Sequence, residues 1–388
     1  MSTTASLEIL SAAELRARAG RKWHDYAEDV LPAWVAEMDF PVPEPIRAAL
    51  RRMTDEAAYG YESASLYPTL KRVFAEYMQR RFGWRPDSDQ VLPVADLVQA
   101  LYAAVTAFTD RGHGIVLQTP IYPPFQHAVR DTGRHIVASP LLDDGSRFLM
   151  DTAGLASVYG ADAPLLLLCN PHNPTGRAFS RTELEAVAEL AVERKLVVVT
   201  DEVHADLTYR GTEFVPFASL GPEVAARTVT ITSATKAYNI PGLRCGVMHF
   251  GSDELRERFR RVVPDRMLGV TNQFGVEATC VAWTQCDGWL AEVMAVLEAN
   301  RSRLTRFMAS ELPEVGFYAP EATYLAWLDC SRRIPAGEPA QRYLLEHARV
   351  ALSDGTDFGS AGHARLNFGT SPEILDQILE RMAQALRR

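Results

Sequence analysis

PLLLLCNPHNPTG, residues 164–176, joins an apolar run to a polar loop near the middle of the chain. The run Leu165–Cys169 predicts a strand, and the loop begins where that strand ends. Ser180 and Glu183 then show the pattern of a capping box, in which each side chain binds a free amide of the first helical turn. Apolar residues follow at helical spacing, and Leu196–Thr200 reads as the next strand. The order strand, helix, strand predicts one unit of a parallel sheet.

Three more strands are predicted. Gly114–Thr119 precedes this unit in the chain, and Thr228–Thr232 and Leu243–Phe250 follow it. Continuous apolar strands that alternate with amphipathic helices are typical of a mostly parallel sheet with helices on both faces. The expected fold class is therefore α/β.

The C-terminal part of the chain follows a different pattern. Longer helices are predicted at Val276–Ala282 and Leu290–Met308, and short strands near Tyr324–Leu328 and Ala364–Asn367. This pattern predicts a smaller α+β domain. We expect an N-terminal segment, residues 1–45, that packs with the small domain, then a large domain, residues 46–288, and the small C-terminal domain, residues 289–388.

The composition excludes several classes of protein. Of the 388 residues, 47% are hydrophobic and 23% charged, as in a folded globular protein. The net charge of −9 argues against a nucleic-acid-coating protein. No apolar run approaches the roughly 20 residues that a membrane helix needs, and Met1–Leu10 lacks the pattern of a secretory signal. The five cysteines form no CxxC pair, so we expect reduced thiols in a cytoplasmic protein.

Polar residues that follow the predicted strands are the candidates for chemistry, because ligands bind at the carboxyl ends of strands in such sheets. Asn173, Asp201 and Lys236 each follow a different strand. An amide, a carboxylate and a lysine suit a cofactor with an aldehyde and a pyridine ring, since the lysine forms an imine and the carboxylate keeps the ring nitrogen protonated. Taken singly, the three have simpler interpretations: a turn former, a helix cap and a surface lysine.

A metal site is not expected. Asp201–Asp206 contains acidic residues and a histidine, but alternation at a strand end points their side chains in different directions. The GxGxxG, P-loop and HExxH motifs are missing.

Several motifs occur together in a distinctive order: NPHNPTG at 170–176, DEVHADL at 201–207, and SATK at 233–236 followed eight positions later by Arg244. This order resembles pyridoxal-phosphate enzymes of the aspartate aminotransferase fold. LPAWVAEMDF at 31–40 and YGY at 59–61 further resemble the branch that contains cystathionine β-lyase and related cysteine-conjugate C–S lyases. The resemblance covers the chain from about Lys22 to the C-terminus.

The resemblance implies roles for residues around the cofactor ring. Lys236 would bind pyridoxal 5'-phosphate covalently and then move the α-proton of the substrate. Asp201 would pair with the ring nitrogen and Asn173 with the phenolic oxygen. Tyr122 would stack on the ring, and His204 would lie beneath it and support Asp201.

The resemblance also implies the contacts of the phosphate and of the substrate. The phosphate would bind Ser233, Thr235, Arg244, the backbone at Ala95, Asp96 and Leu97, and Tyr61 of a neighbouring subunit in a homodimer with shared active sites. The substrate's α-carboxylate would bind Arg365, whose planar guanidinium suits a two-pronged contact, and the backbone at Ala36.

Two positions depart from that branch. Asp96 stands where the branch usually has glycine, and a carboxylate is unfavourable beside a phosphate, so we expect Asp96 to cap the following helix. The segment Pro241–Leu243 followed by Arg244 resembles ordinary aminotransferases more than it resembles the lyases of that branch.

The implied reaction is β-elimination from a small amino-acid substrate, cystathionine or another S-substituted cysteine, to give a thiol, pyruvate and ammonia. Three alternatives stay open. An aminotransferase acting on an L-amino acid shares the first step, loss of the α-proton. The others are further α-carbon chemistry, such as decarboxylation-linked deamination in a biosynthetic pathway, and a cofactor-binding regulatory protein.

Overall fold

The computed structural model describes residues 7–160 and 162–387. Its α-helices are, in chain order, α1 (Ala12–Ala17), α2 (Arg21–His24), α3 (Glu44–Asp55), α4 (Leu66–Phe82), α5 (Leu97–Phe108), α6 (Pro123–Asp131), α7 (Thr152–Val158), α8 (Arg181–Glu193), α9 (Pro222–Ala225), α10 (Asp253–Val262), α11 (Gln273–Gln285), α12 (Asp287–Glu311), α13 (Ala340–Ala348) and α14 (Pro372–Leu386). None of these described helices is long and apolar enough to cross a membrane.

The strands are, in the same order, β1 (Leu31–Pro32), β2 (Val91–Val94), β3 (Gly114–Thr119), β4 (His135–Pro140), β5 (Leu142–Asp143), β6 (Phe148–Leu149), β7 (Leu165–Cys169), β8 (Val197–Asp201), β9 (Thr228–Thr232), β10 (Gly246–Phe250), β11 (Gly316–Phe317), β12 (Leu325–Asp329), β13 (Val350–Ala351), β14 (Ser353–Asp354) and β15 (His363–Asn367). They belong to two compact units of the chain. The first unit joins residues up to Pro41, Asn173–Arg177 and residues from Gly288 onward, and the second joins Val42–His172 and Ala178–Asp287.

A seven-stranded sheet runs through the second unit in the order β2-β10-β9-β8-β7-β3-β4. The five strands from β9 to β4 are parallel, whereas β10 runs antiparallel to both of its neighbours. Alternate residues of β3, β7 and β8 enter two separate apolar clusters, so that Leu117 and Leu167 pack on one face and Val116 and Leu166 on the other. Burial on both faces explains the continuous apolar strands, and the predicted mostly parallel α/β sheet is confirmed.

The predicted capping box at the start of α8 is present, with Ser180 N donating to Glu183 Oε2 over 2.8 Å and Glu183 N donating to Ser180 Oγ over 3.3 Å. Two strands of this sheet have boundaries that differ from the prediction. β8 extends to Asp201, which is its last residue. β10 begins at Gly246 rather than Leu243, because Pro241–Leu243 form a 3-10 turn and Arg244 has the left-handed φ of 45°.

The first unit contains a four-stranded antiparallel sheet in the order β11-β12-β15-β14, with α13 and α14 packed together in the same unit. The N-terminal segment joins this unit through β1, since Leu31 and Pro32 pair in parallel with Val350 and Ala351. Helices beside an antiparallel sheet confirm the predicted α+β character of this part of the chain.

Candidate functional site

A pocket opens in the second unit where β8 and β9 end, and we call it the strand-end pocket. Nine residues predicted from the sequence line it: Ala95, Asp96, Leu97, Tyr122, Asp201, Ser233, Thr235, Lys236 and Arg244. They come from five separate segments of the chain. The carboxyl edge of the parallel strands and the start of α5 therefore bring together an amine, two carboxylates, a guanidinium, two hydroxyls and an aromatic ring.

Asp201 places a buried carboxylate at the end of β8. Its Oδ1 accepts a hydrogen bond from the Val203 amide over 3.1 Å. Burial raises the pKa of Asp201 to about 6, although the Val203 amide and the charge of Lys236 act in the opposite direction. The carboxylate is thus incompletely compensated and would be stabilised by a further cation in the pocket.

The turn after β9 holds Lys236 between residues that are fixed by hydrogen bonds. The Ser233 hydroxyl donates to the Cys245 carbonyl over 2.5 Å, and the Thr235 amide donates to Ser233 Oγ over 3.1 Å. These bonds tie the turn to the residue that precedes β10. The backbone that carries Lys236 is therefore held in place by hydrogen bonds.

The start of α5 forms another wall of the pocket. Asp96 is the N-cap, and its Oδ1 accepts from the amides of Val98 and Gln99. Its Oδ2 accepts from Arg244 Nη1 over 3.1 Å. Gly246 allows this close approach, since a Cβ atom there would lie 2.6 Å from Leu97 Cδ2.

The pocket also contains residues that the sequence interpretation missed: Val98, Leu101, Val203, Pro241, Cys245 and Gly246. A signal for Val203 was present. Val203 lies two residues after Asp201, in the turn that follows β8, so a pocket that contains Asp201 also receives Val203. The others depend on how α5 meets β10, which no local pattern reveals.

Arg365 is buried in the first unit, on β15. Its Nη1 donates to Asn173 Oδ1 over 2.9 Å, and its Nη2 donates to the Trp34 carbonyl and to Ser353 Oγ, each over 3.0 Å. Its guanidinium carbon lies 4.9 Å from the centre of the Phe358 ring. These described contacts fix the plane of the guanidinium, and we call this group the Arg365 cluster.

The backbone beside Arg365 is held by the same strand and its neighbour. The Asn367 side-chain amide donates to the carbonyls of Val35 and Glu37 over 2.6 and 2.7 Å. The Tyr324 hydroxyl donates to the Ala36 carbonyl over 3.0 Å. Every carbonyl from residue 34 to residue 37 therefore accepts a side-chain hydrogen bond, and the segment is rigidly placed.

The chain matches the family described as aminotransferase class I and II over residues 35–382. It belongs to this family. It is similar to cystathionine beta-lyase PatB of Bacillus subtilis (strain 168), with 36% identity over 94% of this chain and 96% of that protein. It is also similar to the cystathionine beta-lyase of Corynebacterium glutamicum, with 32% identity over 96% and 98% of the two chains. The PLP-bound C-S lyase from Staphylococcus hominis superposes with a TM-score of 0.88 at 28% identity, covering 98% of this chain and 97% of that one.

The side chains of the strand-end pocket fit pyridoxal 5'-phosphate, the cofactor expected from this aminotransferase family. Lys236 supplies the amine that binds an aldehyde, and the protonated ring nitrogen would add a second cation beside Asp201, whose burial the charge of Lys236 offsets only in part. The hydroxyls of Ser233 and Thr235 and the guanidinium of Arg244 are donors for a phosphate. Among the described residues, no group of three or more His, Cys, Asp or Glu side chains is placed to hold a metal ion.

Besides Arg365 and Ala36, three predicted residues lie outside the set that lines the strand-end pocket. Asn173 belongs to the first unit, and because its Oδ1 accepts from Arg365, its Nδ2 is the atom with hydrogen to donate. His204 is buried three residues after Asp201. Tyr61 is fully exposed and borders a different surface pocket with Tyr59 and Val270. The roles of these three, like those of the residues that line the strand-end pocket and of Arg365 and Ala36, stay predictions.

Proposed function

We propose that this protein is a pyridoxal-phosphate-dependent C–S lyase that cleaves cystathionine or another S-substituted cysteine by β-elimination. The observation that carries the proposal is the meeting of Lys236 and the buried carboxylate of Asp201 in one pocket. The full-length similarity to cystathionine beta-lyases and to a PLP-bound C-S lyase supports the same reaction.

Each residue has a separate task in this reaction. Bound pyridoxal phosphate supplies an electron-withdrawing ring that stabilises the negative charge left at the α-carbon when a bond there breaks. Lys236 Nζ removes the α-proton, and Asp201 holds a proton on the ring nitrogen. The Arg365 guanidinium binds the substrate's α-carboxylate. Once the α-proton is on Lys236, the C–S bond breaks, the sulfur leaves as a thiolate, and hydrolysis yields pyruvate and ammonia.

The remaining contacts are proposed from the residue types. Tyr122 stacks on the ring, Asn173 Nδ2 donates to its phenolic oxygen, and His204 supports Asp201 from below. The backbone at Ala36 closes over the carboxylate beside Arg365. Its rigid placement, through the bond from Tyr324, suits this role.

We also propose a homodimer in the cytoplasm. Tyr59, Tyr61 and Val270 are exposed apolar or aromatic residues around one surface pocket, and such a patch is typical of an interface. In the dimer Tyr61 would reach the phosphate in the second copy. The five cysteines are free thiols, which suits the cytoplasm.

An aminotransferase is the second candidate, because the family description covers that activity and Arg244 favours it. One experiment separates the two. Purified protein is incubated with cystathionine and a panel of cysteine thioethers without any keto acid. We expect pyruvate and a thiol to appear. Product that forms only when a keto acid is added would establish the aminotransferase, and no product across the panel would refute the lyase.

A further inference from the structure

The cofactor pocket contains a carboxylate at the position where a phosphate is expected. We propose that Asp96 competes with the cofactor's phosphate for Arg244 and for the start of α5, and that it thereby loosens the anchoring of the cofactor. The inference rests on the proposed function, since it takes the strand-end pocket as the cofactor site.

Asp96 uses both of its oxygens on groups that bind phosphates well. Oδ1 accepts from the Val98 amide over 2.8 Å and from the Gln99 amide over 3.3 Å. Oδ2 accepts from Arg244 Nη1 over 3.1 Å. The side chains of Asp96 and Arg244 are 34% and 67% exposed, so a ligand that enters the pocket can reach both.

The free amides at the start of a helix bind anions because they are unpaired donors at the positive end of the helix dipole. Asp96 already satisfies two of these amides. A phosphate in the same place either displaces the carboxylate or lies beside a like charge.

The charges in the pocket allow little compensation for this repulsion. The described charged residues that line it are Asp96, Asp201, Lys236 and Arg244. Lys236 interacts electrostatically with Asp201. Arg244 is thus the lining cation that contacts the helix cap, and its ion pair with Asp96 offsets part of its positive charge.

Asp96→Asn is the decisive variant, since asparagine caps helices as well as aspartate and has the same shape without the charge. The release of pyridoxal phosphate from diluted holoenzyme is followed by absorbance of the Lys236-bound cofactor. We expect the variant to release the cofactor about tenfold more slowly than the wild type. Asp151→Asn is the matched control, because Asp151 also caps a helix, α7, but lies outside the pocket.

Pyridoxal, which lacks the phosphate, separates a phosphate effect from a general change in the pocket. Its affinity, measured by absorbance titration, should differ by less than about twofold between wild type and Asp96→Asn. Arg244→Gln should speed the release of pyridoxal phosphate, and more strongly in the Asp96→Asn background, where Arg244 serves the phosphate alone.

Equal release from Asp96→Asn would overturn the inference. Faster release would also overturn it and would show that Asp96 orients Arg244 for the phosphate. Equal slowing with both probes would also overturn it. If neither probe gives a Lys236-dependent absorbance in the wild type, the proposed function itself fails. The last result is distinct from the others, in which the cofactor binds normally.

Discussion

Asp201 and Asp39 are both buried aspartates, but their surroundings differ in kind. Asp39 Oδ2 accepts from Lys22 Nζ over 2.8 Å, its Oδ1 accepts from Trp23 Nε1 over 2.7 Å, and the two charged side chains are 2–3% exposed. Asp201 accepts from one backbone amide in the described contacts, and its pKa is raised to about 6 by burial. A charge that is fully paired within the fold holds structure together, whereas a charge left partly uncompensated in a pocket is suited to a ligand.

The largest effect is expected from removing the amine beside Asp201. Lys236→Ala should abolish the absorbance of the covalently bound cofactor and lower kcat/KM by about 10⁴-fold, because the amine that moves the α-proton is lost. Spectra and pyruvate release measure the two effects. Lys71→Ala, in α4 and outside the strand-end pocket, is the control and should behave as wild type. Unchanged absorbance in Lys236→Ala would contradict the covalent binding of the cofactor to Lys236.

Asp201→Asn tests the claim that this carboxylate serves the ligand rather than the fold. The amide cannot hold the proton on the ring nitrogen, so we expect kcat/KM to fall about 10³-fold. The free energy of unfolding, measured with urea on the protein without cofactor, should not decrease, because a costly buried carboxylate is removed. A large loss of stability with little loss of activity would reverse the assignment.

Asp39→Asn makes the same chemical change at the paired site and should have the opposite outcome. Lys22 would be left buried without its counter-charge, and the free energy of unfolding should fall by about 3 kcal/mol. The double variant Lys22→Met with Asp39→Asn removes both charges and should recover much of the loss. Equal stability of the wild type and Asp39→Asn would show that this ion pair contributes little.

Arg365→Lys tests the proposed carboxylate contact. Lysine cannot make the two parallel hydrogen bonds of a guanidinium, so KM should rise about thirtyfold with a smaller change in kcat. Arg306→Lys, on the exposed face of α12, is the matched control. Steady-state kinetics with a substrate whose carboxylate is replaced by an amide should show no difference between the variant and the wild type. A fall in kcat at constant KM would argue against the contact.

Residues of the strand-end pocket could be predicted from the sequence because they follow a local rule. Each predicted strand ends at a recognisable polar residue, and parallel strands bring those ends to one edge, so the sequence alone predicts that Asp201 and Lys236 lie near each other. The Arg365 cluster follows no such rule. The bond from Arg365 to the Trp34 carbonyl joins residues 331 positions apart, and Arg365 was found only through the resemblance to a family.

Other features depended on contacts that a pattern cannot show. The sequence predicted the helix cap at Asp96 but not its ion pair with Arg244, which joins residues 148 positions apart. The buried pair of Lys22 and Asp39 was not predicted either, since a lysine 17 residues from an aspartate carries no periodic signal.

The division of the chain into domains at residues 45/46 and 288/289 stays a prediction.

The smallest expected effect concerns Glu202, which follows Asp201 directly after the end of β8. Its Oε1 accepts from the Phe217 amide over 3.0 Å, and burial raises its pKa to about 8 from an ordinary 4.5. The folded protein therefore keeps this proton to higher pH than the unfolded chain does. Between pH 6 and 8 the wild type should lose stability relative to Glu202→Gln, by at most about 1.4 kcal/mol per pH unit.

Urea unfolding at several pH values measures this difference, and the Glu202→Gln curve serves as the reference that cancels other titrating groups. The sign follows from the protons bound: the unfolded chain has already lost the Glu202 proton above pH 6, so raising the pH favours unfolding. Parallel curves for the two proteins would mean that Glu202 is ionised in the fold. A second negative charge would then lie beside Asp201. The strand-end pocket would hold more uncompensated negative charge than proposed, whereas the charge of Asp39 is paired with Lys22.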